Sequence, residues 1–453
     1  MKTIVVLAVL LAAATLADAA RKPNVIVILA DDMGYADVGF NGCKDIPTPH
    51  IDSLAAHGVR CSSGYVSHSF CSPTRAGLMT GRYQQRFGHE NNPAWLPEDT
   101  KVGLPVSQTT IADVMKSAGF VTGAIGKWHL GAAPCFHPNE RGFVEYFGFL
   151  GGGHIYLPGL KGGVEYTVPL LRNKEPLELK EYMTDVLSRE AAAFVARHKT
   201  EPFYLYVAYN AVHTPLQAPE KYLSRFTSIA DERRRAYAAM TSAMDDGIGL
   251  ILRALRDNGL ERDTLVWFFS DNGGPPYNVS PTHNNPLRGN KGTLYEGGIR
   301  VPFVVQWRGE LPEGTVYEQP VISLDVLPTA ATLAGAKLPD GLKLDGVNIV
   351  PHLKGEAKEP PHDRLFWRTG GGAAWAVREG RYKLLKPGKD AAPQLFDLNS
   401  DIGEAKDIVS EKPDVVARLQ KAHDAWNMEL IPPLFESPKP AAKKKARQAG
   451  RTK

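Results

Sequence analysis

Residues 24–30 have the sequence Asn-Val-Ile-Val-Ile-Leu-Ala, a run of apolar and β-branched side chains that ends in the acidic pair Asp31-Asp32. A strand that is apolar on both faces is typical of the centre of a parallel sheet, where helices cover both sides. The segment therefore predicts the central strand of an α/β fold. It also places two carboxylates directly at the carboxyl end of that strand.

Three further apolar runs also end in polar residues, and helical periodicity separates them, as at residues 111–118. Strands that alternate with helices indicate a large, mostly parallel sheet between helices. In such a sheet the ligand site lies off the carboxyl ends of the strands. We therefore expect the residues that follow these runs to meet in one cleft. The runs are 120–125, 202–208 and 265–269, and the residues that follow them are Lys127, His129, His213, Asp271 and Asn272.

The pattern changes near residue 360. Short alternating segments at 374–377, 382–385 and 394–398 predict a smaller antiparallel sheet, and apolar positions from Val415 to Trp426 recur with helical spacing. We therefore predict a catalytic domain over residues 20–360 and a small C-terminal subdomain over residues 361–435, built from this sheet and one helix.

The two ends of the chain carry other signals. Lys2, an apolar run and then Ala17-Asp18-Ala19 predict a signal peptide over residues 1–19. The protein should be secreted or periplasmic, without stable membrane insertion, because the run is shorter than the ~20 residues that a span needs. At the other end, residues 437–453 contain seven Lys and Arg and no acid, so we predict a basic, disordered tail over residues 436–453.

The composition excludes several classes of protein. With 453 residues, 43% hydrophobic and 23% charged, the chain is neither disordered nor fibrous. Removing the seven tail charges from the formal net charge of +4 leaves a slightly acidic protein, so we expect no nucleic-acid partner. The four cysteines are too few for a disulfide scaffold, and their spacing fixes no pairing among Cys43, Cys61 and Cys135.

Residues 71–75, Cys-Ser-Pro-Thr-Arg, carry the most chemical information. Ser72 can cap a helix and Pro73 can take its first position, which would put Cys71 just before a helix N-terminus. Backbone N–H groups and the helix dipole favour an anion there. On the residues alone, Cys71 is either a nucleophile that faces an anionic substrate or a buried structural cysteine.

The segment matches the Cys-x-Pro-x-Arg signature of the type I, formylglycine-dependent sulfatases, and five further blocks occur in the family's order. Over nearly the whole mature chain the sequence resembles arylsulfatase A and the N-acetylgalactosamine-6-sulfatase-like enzymes. The resemblance implies an alkaline-phosphatase-like sandwich. The five blocks are residues 31–35, 126–131, 213–215, 270–273, and 287–292 together with 295–298.

The resemblance also implies the roles of the catalytic residues. A formylglycine-generating or other sulfatase-maturing enzyme would oxidise Cys71 to formylglycine, whose hydrate supplies the nucleophile. Arg75 would hold its hydroxyls, and His129 would hydrogen-bond the formylglycine. Fixed cations would bind the sulfate, and His213 and Lys291 would protonate the leaving oxygen. The family's sulfate-binding positions fall on Lys127, His213 and Lys291.

Carboxylate and amide oxygens from two strand ends form a set of ligands suited to a hard divalent cation. Residue 71 would complete this set. The family's usual metal is calcium, so we expect Ca²⁺ rather than Mg²⁺. The oxygen ligands are Asp31, Asp32, Asp271 and Asn272. Substrate contacts are harder to place, and we predict one for His154, in a glycine-rich loop.

These features predict a sulfatase that hydrolyses sulfate monoesters, on a sulfated saccharide or an aryl sulfate. Two alternatives remain open at this point. One is a phosphonate or phosphate monoester hydrolase of the same superfamily. The other is a non-catalytic binder of sulfated glycans, whose sign would be a missing catalytic position, and none is missing.

Overall fold

Residues 24–30 form the predicted strand, β1 (Asn24–Ala30), and all seven of its residues are buried. The structure is a computed structural model and describes residues 22–437. The predicted signal peptide and nearly all of the predicted basic tail lie outside the described residues. Within residues 22–437, no helix combines the length and the apolar composition needed to cross a membrane.

The described residues contain sixteen strands and ten α-helices. The other strands are β2 (Val59–Cys61), β3 (Gly64–Tyr65), β4 (Val121–Lys127), β5 (Glu145–Phe149), β6 (Leu170–Arg172), β7 (Glu175–Leu177), β8 (Phe203–Ala208), β9 (Thr264–Ser270), β10 (Phe303–Gln306), β11 (Thr315–Tyr317), β12 (Val321–Ile322), β13 (Arg364–Thr369), β14 (Ala374–Glu379), β15 (Tyr382–Lys386) and β16 (Gln394–Asp397). The helices are α1 (Pro49–Ala56), α2 (Cys71–Thr80), α3 (Ile111–Ser117), α4 (Met183–Arg197), α5 (Glu220–Leu223), α6 (Glu232–Asp257), α7 (Glu296–Ile299), α8 (Val326–Ala334), α9 (Val350–Leu353) and α10 (Pro413–Asn427).

Ten of the strands form one sheet in the order β11-β2-β10-β9-β1-β8-β4-β5-β6-β7. The five central strands, from β9 to β5, are parallel to one another. On either side of them β10 and β6 pair antiparallel. The prediction of a large, mostly parallel sheet is therefore confirmed. A separate pair, β3 and β12, lies outside it.

Both faces of the central sheet are covered, as the unbroken apolar run of β1 predicts. Val25, Val27 and Leu29 pack into one core with residues of α2, α3 and α8. The alternate residues Ile26 and Ile28 pack into a second core with residues of α4 and α6. Each fully buried aliphatic side chain of this kind stabilises the fold by roughly 1.5–3 kcal/mol.

The parallel direction of β9, β1, β8 and β4 brings their carboxyl ends to one edge of the sheet, as expected from the sequence. Two residues at this edge, Asp32 and His129, have positive φ angles of 64° and 60°. Few residues other than glycine adopt this conformation, and those that do concentrate at functional sites. The backbone conformation at this edge therefore sets the directions of the Asp32 and His129 side chains.

The C-terminal sheet has the order β13-β14-β15-β16, and all its pairs are antiparallel. Three of these strands and α10 were predicted, but β13 was missed. Its apolar residues Leu365, Phe366 and Trp367 are consecutive rather than alternating, because both faces of the strand are packed. One face of the sheet shares a core with Tyr65 and Leu324 of the preceding part of the chain. The domain boundary at residue 360 stays a prediction.

A buried charged cluster also joins the two parts. The Nζ of Lys383 lies 2.9 Å from Oε1 of Glu296 and 2.9 Å from Oε1 of Glu404, and all three side chains are inaccessible. Burial alone would raise the pKa of Glu296, but the positive charges of Lys383, Arg300 and Arg378 lower it to about 2. The cationic neighbours therefore hold Glu296 as a buried carboxylate.

We expect Lys383→Met to lower the free energy of unfolding by about 3–5 kcal/mol, because it leaves two buried carboxylates without their ammonium partner. Urea unfolding monitored by fluorescence measures the change. Lys386→Met, on the same strand but half-buried, is the matched control and should stay within about 0.5 kcal/mol of the wild type. Equal stabilities of the two variants would contradict this account.

Candidate active site

Helix α2 presents Cys71 at the edge where the strands end. The cysteine is the first residue of the helix and not the residue before it, which corrects the predicted start. The N-cap position belongs to Phe70, whose side chain makes no capping bond. Pro73 is the third residue of α2, still within the first turn, where its missing N–H has no helical partner to lose.

Ser72 does not cap the helix as predicted, and its hydroxyl has a different task. It donates to the carbonyl oxygen of His129 at 2.6 Å and lies 2.7 Å from Nε2 of His89. The backbone N–H of Ser72 donates to Oδ1 of Asn92 at 3.0 Å. These bonds fix residue 71 relative to His129. A local sequence pattern does not record these bonds, because the partners lie 17 to 57 residues away.

The thiol of Cys71 is buried among charged groups. Its Sγ lies 3.2 Å from Nζ of Lys291, 3.5 Å from Oδ1 of Asp31 and 3.8 Å from Oδ1 of Asp32. Burial and the negative charge of Asp271 raise the pKa of the thiol well above its ordinary value. A neutral thiol is a poor nucleophile. The site therefore does not activate Cys71 as a thiolate.

Arg75 lies one helical turn after Cys71, on the same face, and is completely buried. Its Nε and Nη2 donate to Oδ2 of Asp271 at 3.0 and 2.7 Å, and its Nη1 donates to the carbonyl oxygen of Lys127 at 3.0 Å. Nη1 also lies 3.4 Å from the hydroxyl of Tyr206, a residue that the sequence analysis did not single out. Arg75 thus connects strands β4 and β8 with the residue that follows β9.

Lysines from two different parts of the chain neutralise the acidic pair. The Nζ of Lys127 donates to Oδ2 of Asp31 at 2.6 Å, and the Nζ of Lys291 donates to Oδ1 of Asp32 at 2.5 Å. Burial alone would raise the pKa of Asp31, but Lys127, His213 and Arg75 together lower it far below its ordinary value. Both carboxylates are therefore charged.

The two predicted histidines reach the same place, and burial lowers the pKa of both rings. His213 places Nε2 3.6 Å from Oδ2 of Asp32, while its Nδ1 lies 2.6 Å from the carbonyl oxygen of Thr214 and donates to it. His129 is buried with no hydrogen-bond partner for Nδ1. Burial, with Lys127 and Arg75 nearby, lowers the pKa of His129 well below 6.5, so this ring is neutral.

The predicted metal ligands form one group. Ligand atoms of Asp31, Asp32, Cys71 and Asp271 all lie within 4.8 Å of one another and are buried. Asn272 uses its Nδ2 to donate to Asp32 at 2.8 Å, and its Oδ1 is buried without a hydrogen-bond partner. A buried amide oxygen without a donor is costly unless something else binds it. This oxygen, beside three carboxylates, fits a hard divalent cation.

His154 differs from the other predicted site residues. Its Nδ1 lies 2.7 Å from the carbonyl oxygen of Ile155, and its Nε2 lies 3.0 Å from that of Val168. Burial lowers its pKa, so the neutral ring donates to only one of these oxygens. One ring nitrogen thus donates to the backbone of the loop, and the other faces a second carbonyl oxygen of the same segment. This geometry argues for a structural role and against the predicted substrate contact.

Comparisons with known proteins give the same family that the site residues suggest. A sulfatase family model matches residues 23–336, and a model described as N-sulphoglucosamine sulphohydrolase, C-terminal, matches residues 289–427. Arylsulfatase A of Bos taurus is 32% identical over 92% of this chain and 89% of its own length. N-acetylgalactosamine-6-sulfatase of Mus musculus is 34% identical over 81% of this chain and 72% of its own length.

Two solved structures extend the comparison. The crystal structure of Ps i-CgsB in complex with k-i-k-neocarrahexaose matches with a TM-score of 0.87 and 39% identity, and covers 96% of this chain and 98% of that one. The phosphonate monoester hydrolase of Agrobacterium radiobacter matches with a TM-score of 0.66 over 89% of this chain and 95% of that one. At 22% identity it shows a shared fold only. By its family matches and its site, the chain belongs to the sulfatase family and is a sulfuric ester hydrolase.

Proposed function

We propose that the protein hydrolyses sulfate monoesters of a sulfated saccharide, with residue 71 as formylglycine and a calcium ion beside it. One observation carries the proposal: Cys71, a buried arginine, two lysines and four oxygen ligands meet within hydrogen-bonding distance at the carboxyl edge of the sheet. The saccharide is supported by Ps i-CgsB, 39% identical and solved in complex with k-i-k-neocarrahexaose.

Residue 71 is placed for attack on a group held at the edge of the sheet. As formylglycine it would supply a hydrated aldehyde, with one hydroxyl to attack sulfur and a second to release the sulfate. The raised pKa of the buried Cys71 thiol supports the need for this conversion. Arg75, held by Asp271 and by the carbonyl oxygen of Lys127, keeps the start of α2 in register with the ligand set.

The charges of the site suit a sulfate ester. Three buried carboxylates are balanced by three cationic side chains, so the group is neutral without a metal. A divalent cation would add two positive charges, which favours a negatively charged substrate. Asp31, Asp32, Asp271 and Asn272 would hold that cation. The carboxylates and cationic side chains that balance are Asp31, Asp32, Asp271, Arg75, Lys127 and Lys291.

The leaving oxygen needs a proton, and the three candidate side chains differ in their exposure to solvent. The side chain of Lys127 is fully buried, whereas those of His213 and Lys291 are 15% and 16% exposed. The latter two therefore border the open side of the site, where the rest of the substrate must lie. We assign sulfate binding to all three, and protonation of the leaving oxygen to His213 and Lys291.

The remaining predictions belong to this proposal. The predicted signal peptide supports secretion or export to the periplasm, and conversion of Cys71 requires a sulfatase-maturing enzyme as a partner. The described residues show all four cysteines as free thiols. Once residue 71 is modified, Cys43, Cys61 and Cys135 are an odd number, so at least one of them stays unpaired within the chain.

A sulfate-release screen with the purified enzyme tests the proposal. The panel comprises carrageenan, fucoidan, ulvan, chondroitin sulfate, heparan sulfate and an aryl sulfate, with an aryl phosphonate as the competing ester. We expect release from at least one polysaccharide and a kcat/KM for the aryl sulfate above that for the phosphonate. A preference for the phosphonate would favour the monoester hydrolase of the same superfamily, and binding without release would favour a glycan binder.

A further inference from the structure

An aromatic side chain that the sequence analysis did not single out lies at the open side of the site. Tyr166 belongs to the segment between β5 and β6, and its ring centroid is 6.5 Å from that of His213. The ring is half-buried, while its neighbour Val164 is 61% exposed. Burial raises the pKa of the Tyr166 hydroxyl, and a hydrogen bond with Thr214 and the positive charges of Lys127 and Lys291 oppose that rise. The hydroxyl therefore lies within the electrostatic field of these two lysines.

Two glycines let this ring and the catalytic histidines come close to the backbone. A Cβ at Gly153 would lie 2.7 Å from Cε1 of Tyr166 and 3.6 Å from Nδ1 of His213, and a Cβ at Gly152 would lie 2.7 Å from Nε2 of His129. Any larger residue would push into these rings. The glycine loop and Tyr166 thus form a continuous wall beside the histidines.

The backbone holds Tyr166 in this position. Its N–H donates to the carbonyl oxygen of Gly163 at 2.8 Å, and its carbonyl oxygen accepts from Ile155 at 3.0 Å. A Cβ at Gly162 would lie 3.0 Å from Cβ of Tyr166, so the chain is packed closely there as well. The ring is therefore positioned in advance, which lowers the entropy lost when it binds a partner.

We propose that Tyr166 is a specificity-determining residue whose ring packs against the sugar that carries the sulfate. The inference rests on the proposed function, because it takes a saccharide as substrate. With the sulfate held by the lysines, the first group beyond the ester oxygen lies beside His213, and therefore beside Tyr166. A pyranose has an apolar C–H face and a polar rim, which match the face and the hydroxyl of a tyrosine.

Tyr166→Ala tests this inference, with the saccharide that gives the highest rate in the screen as substrate. We expect kcat/KM for the saccharide to fall about tenfold, mostly through KM, because an aromatic contact of this kind adds about one order of magnitude in binding. The inhibition constant of inorganic sulfate should stay within about twofold of the wild type, because the variant leaves the lysines, His213 and the cation ligands unchanged. Tyr166→Phe should keep most of the saccharide activity.

Two further variants separate recognition from folding. Gly153→Ala should also weaken saccharide turnover, because its Cβ displaces the Tyr166 ring. Tyr382→Ala, which removes a half-buried tyrosine of the C-terminal sheet, should change neither constant. Loss of sulfate inhibition together with saccharide turnover in Tyr166→Ala would show a structural role and overturn the inference, as would unchanged saccharide kinetics. A wild-type enzyme that cleaves no saccharide but does cleave aryl sulfate would overturn the proposed saccharide substrate itself.

Discussion

The variant Cys71→Ser should keep its fold and release sulfate at least about 10⁴-fold more slowly than the wild type, a loss of the size seen when a nucleophile is removed. The hydroxyl of serine is no larger than the thiol, so the buried start of α2 and its bonds through Ser72 should persist. A serine carries one hydroxyl on its Cβ. After attack on sulfur it has no second hydroxyl to release the sulfate, and turnover stops at the ester.

Sulfate release and the mass of the peptide that contains residue 71 measure this expectation together. In protein from its own host, the wild-type peptide should show the mass of formylglycine. Cys135→Ser is the matched control, because Cys135 is half-buried, lies outside the site and should be dispensable. Near-normal turnover by Cys71→Ser, or full activity from protein with unmodified Cys71, would refute the assigned nucleophile.

The sequence predicted the central sheet well because burial on both faces leaves a direct mark. The run at residues 24–30 is apolar at every position after Asn24, and β1 is buried along its whole length with cores on both sides. Prediction failed for strand β13, whose pattern of apolar residues is less simple. Strand β13 has three consecutive apolar residues, which fit neither a strict alternation nor a long buried run.

A sequence pattern reveals which residues follow a strand, but not which distant residues contact one another in the site. The residues at strand ends could be predicted to lie together because a parallel sheet carries them to one edge, whatever the length of chain between them. Tyr206 was missed, since it acts through one distant contact, with Arg75. Ser72 looked like a cap by its position, but its hydroxyl binds the His129 carbonyl oxygen instead. The glycine-rich surroundings of His154 suggested a substrate contact. Its ring nitrogens instead face carbonyl oxygens of the loop backbone.

Removal of the divalent cation should abolish turnover, and calcium should stabilise the folded enzyme. Calcium at about 100 times its Kd adds about 2.7 kcal/mol to the free energy of unfolding of a protein that binds it only when folded. The wild type, stripped with a chelator, should therefore melt at a lower temperature and recover on addition of Ca²⁺. Thermal unfolding with and without calcium measures this effect without any reference to activity.

Asn272→Ala is the most informative variant for this cation, because it removes a ligand oxygen and leaves the balance of buried charges unchanged. We expect calcium to bind at least tenfold more weakly, since even partners outside the ligand set contribute 10- to 100-fold to metal affinity. Asn24→Ala is the matched control: Asn24 is equally buried, but it lies at the opposite end of β1 and bonds Thr264. This control should lose some stability but keep its full response to calcium. Two results would contradict the calcium site: equal stabilisation of Asn272→Ala and the wild type by calcium, or turnover that survives chelation. The buried amide oxygen of Asn272 would then need another partner.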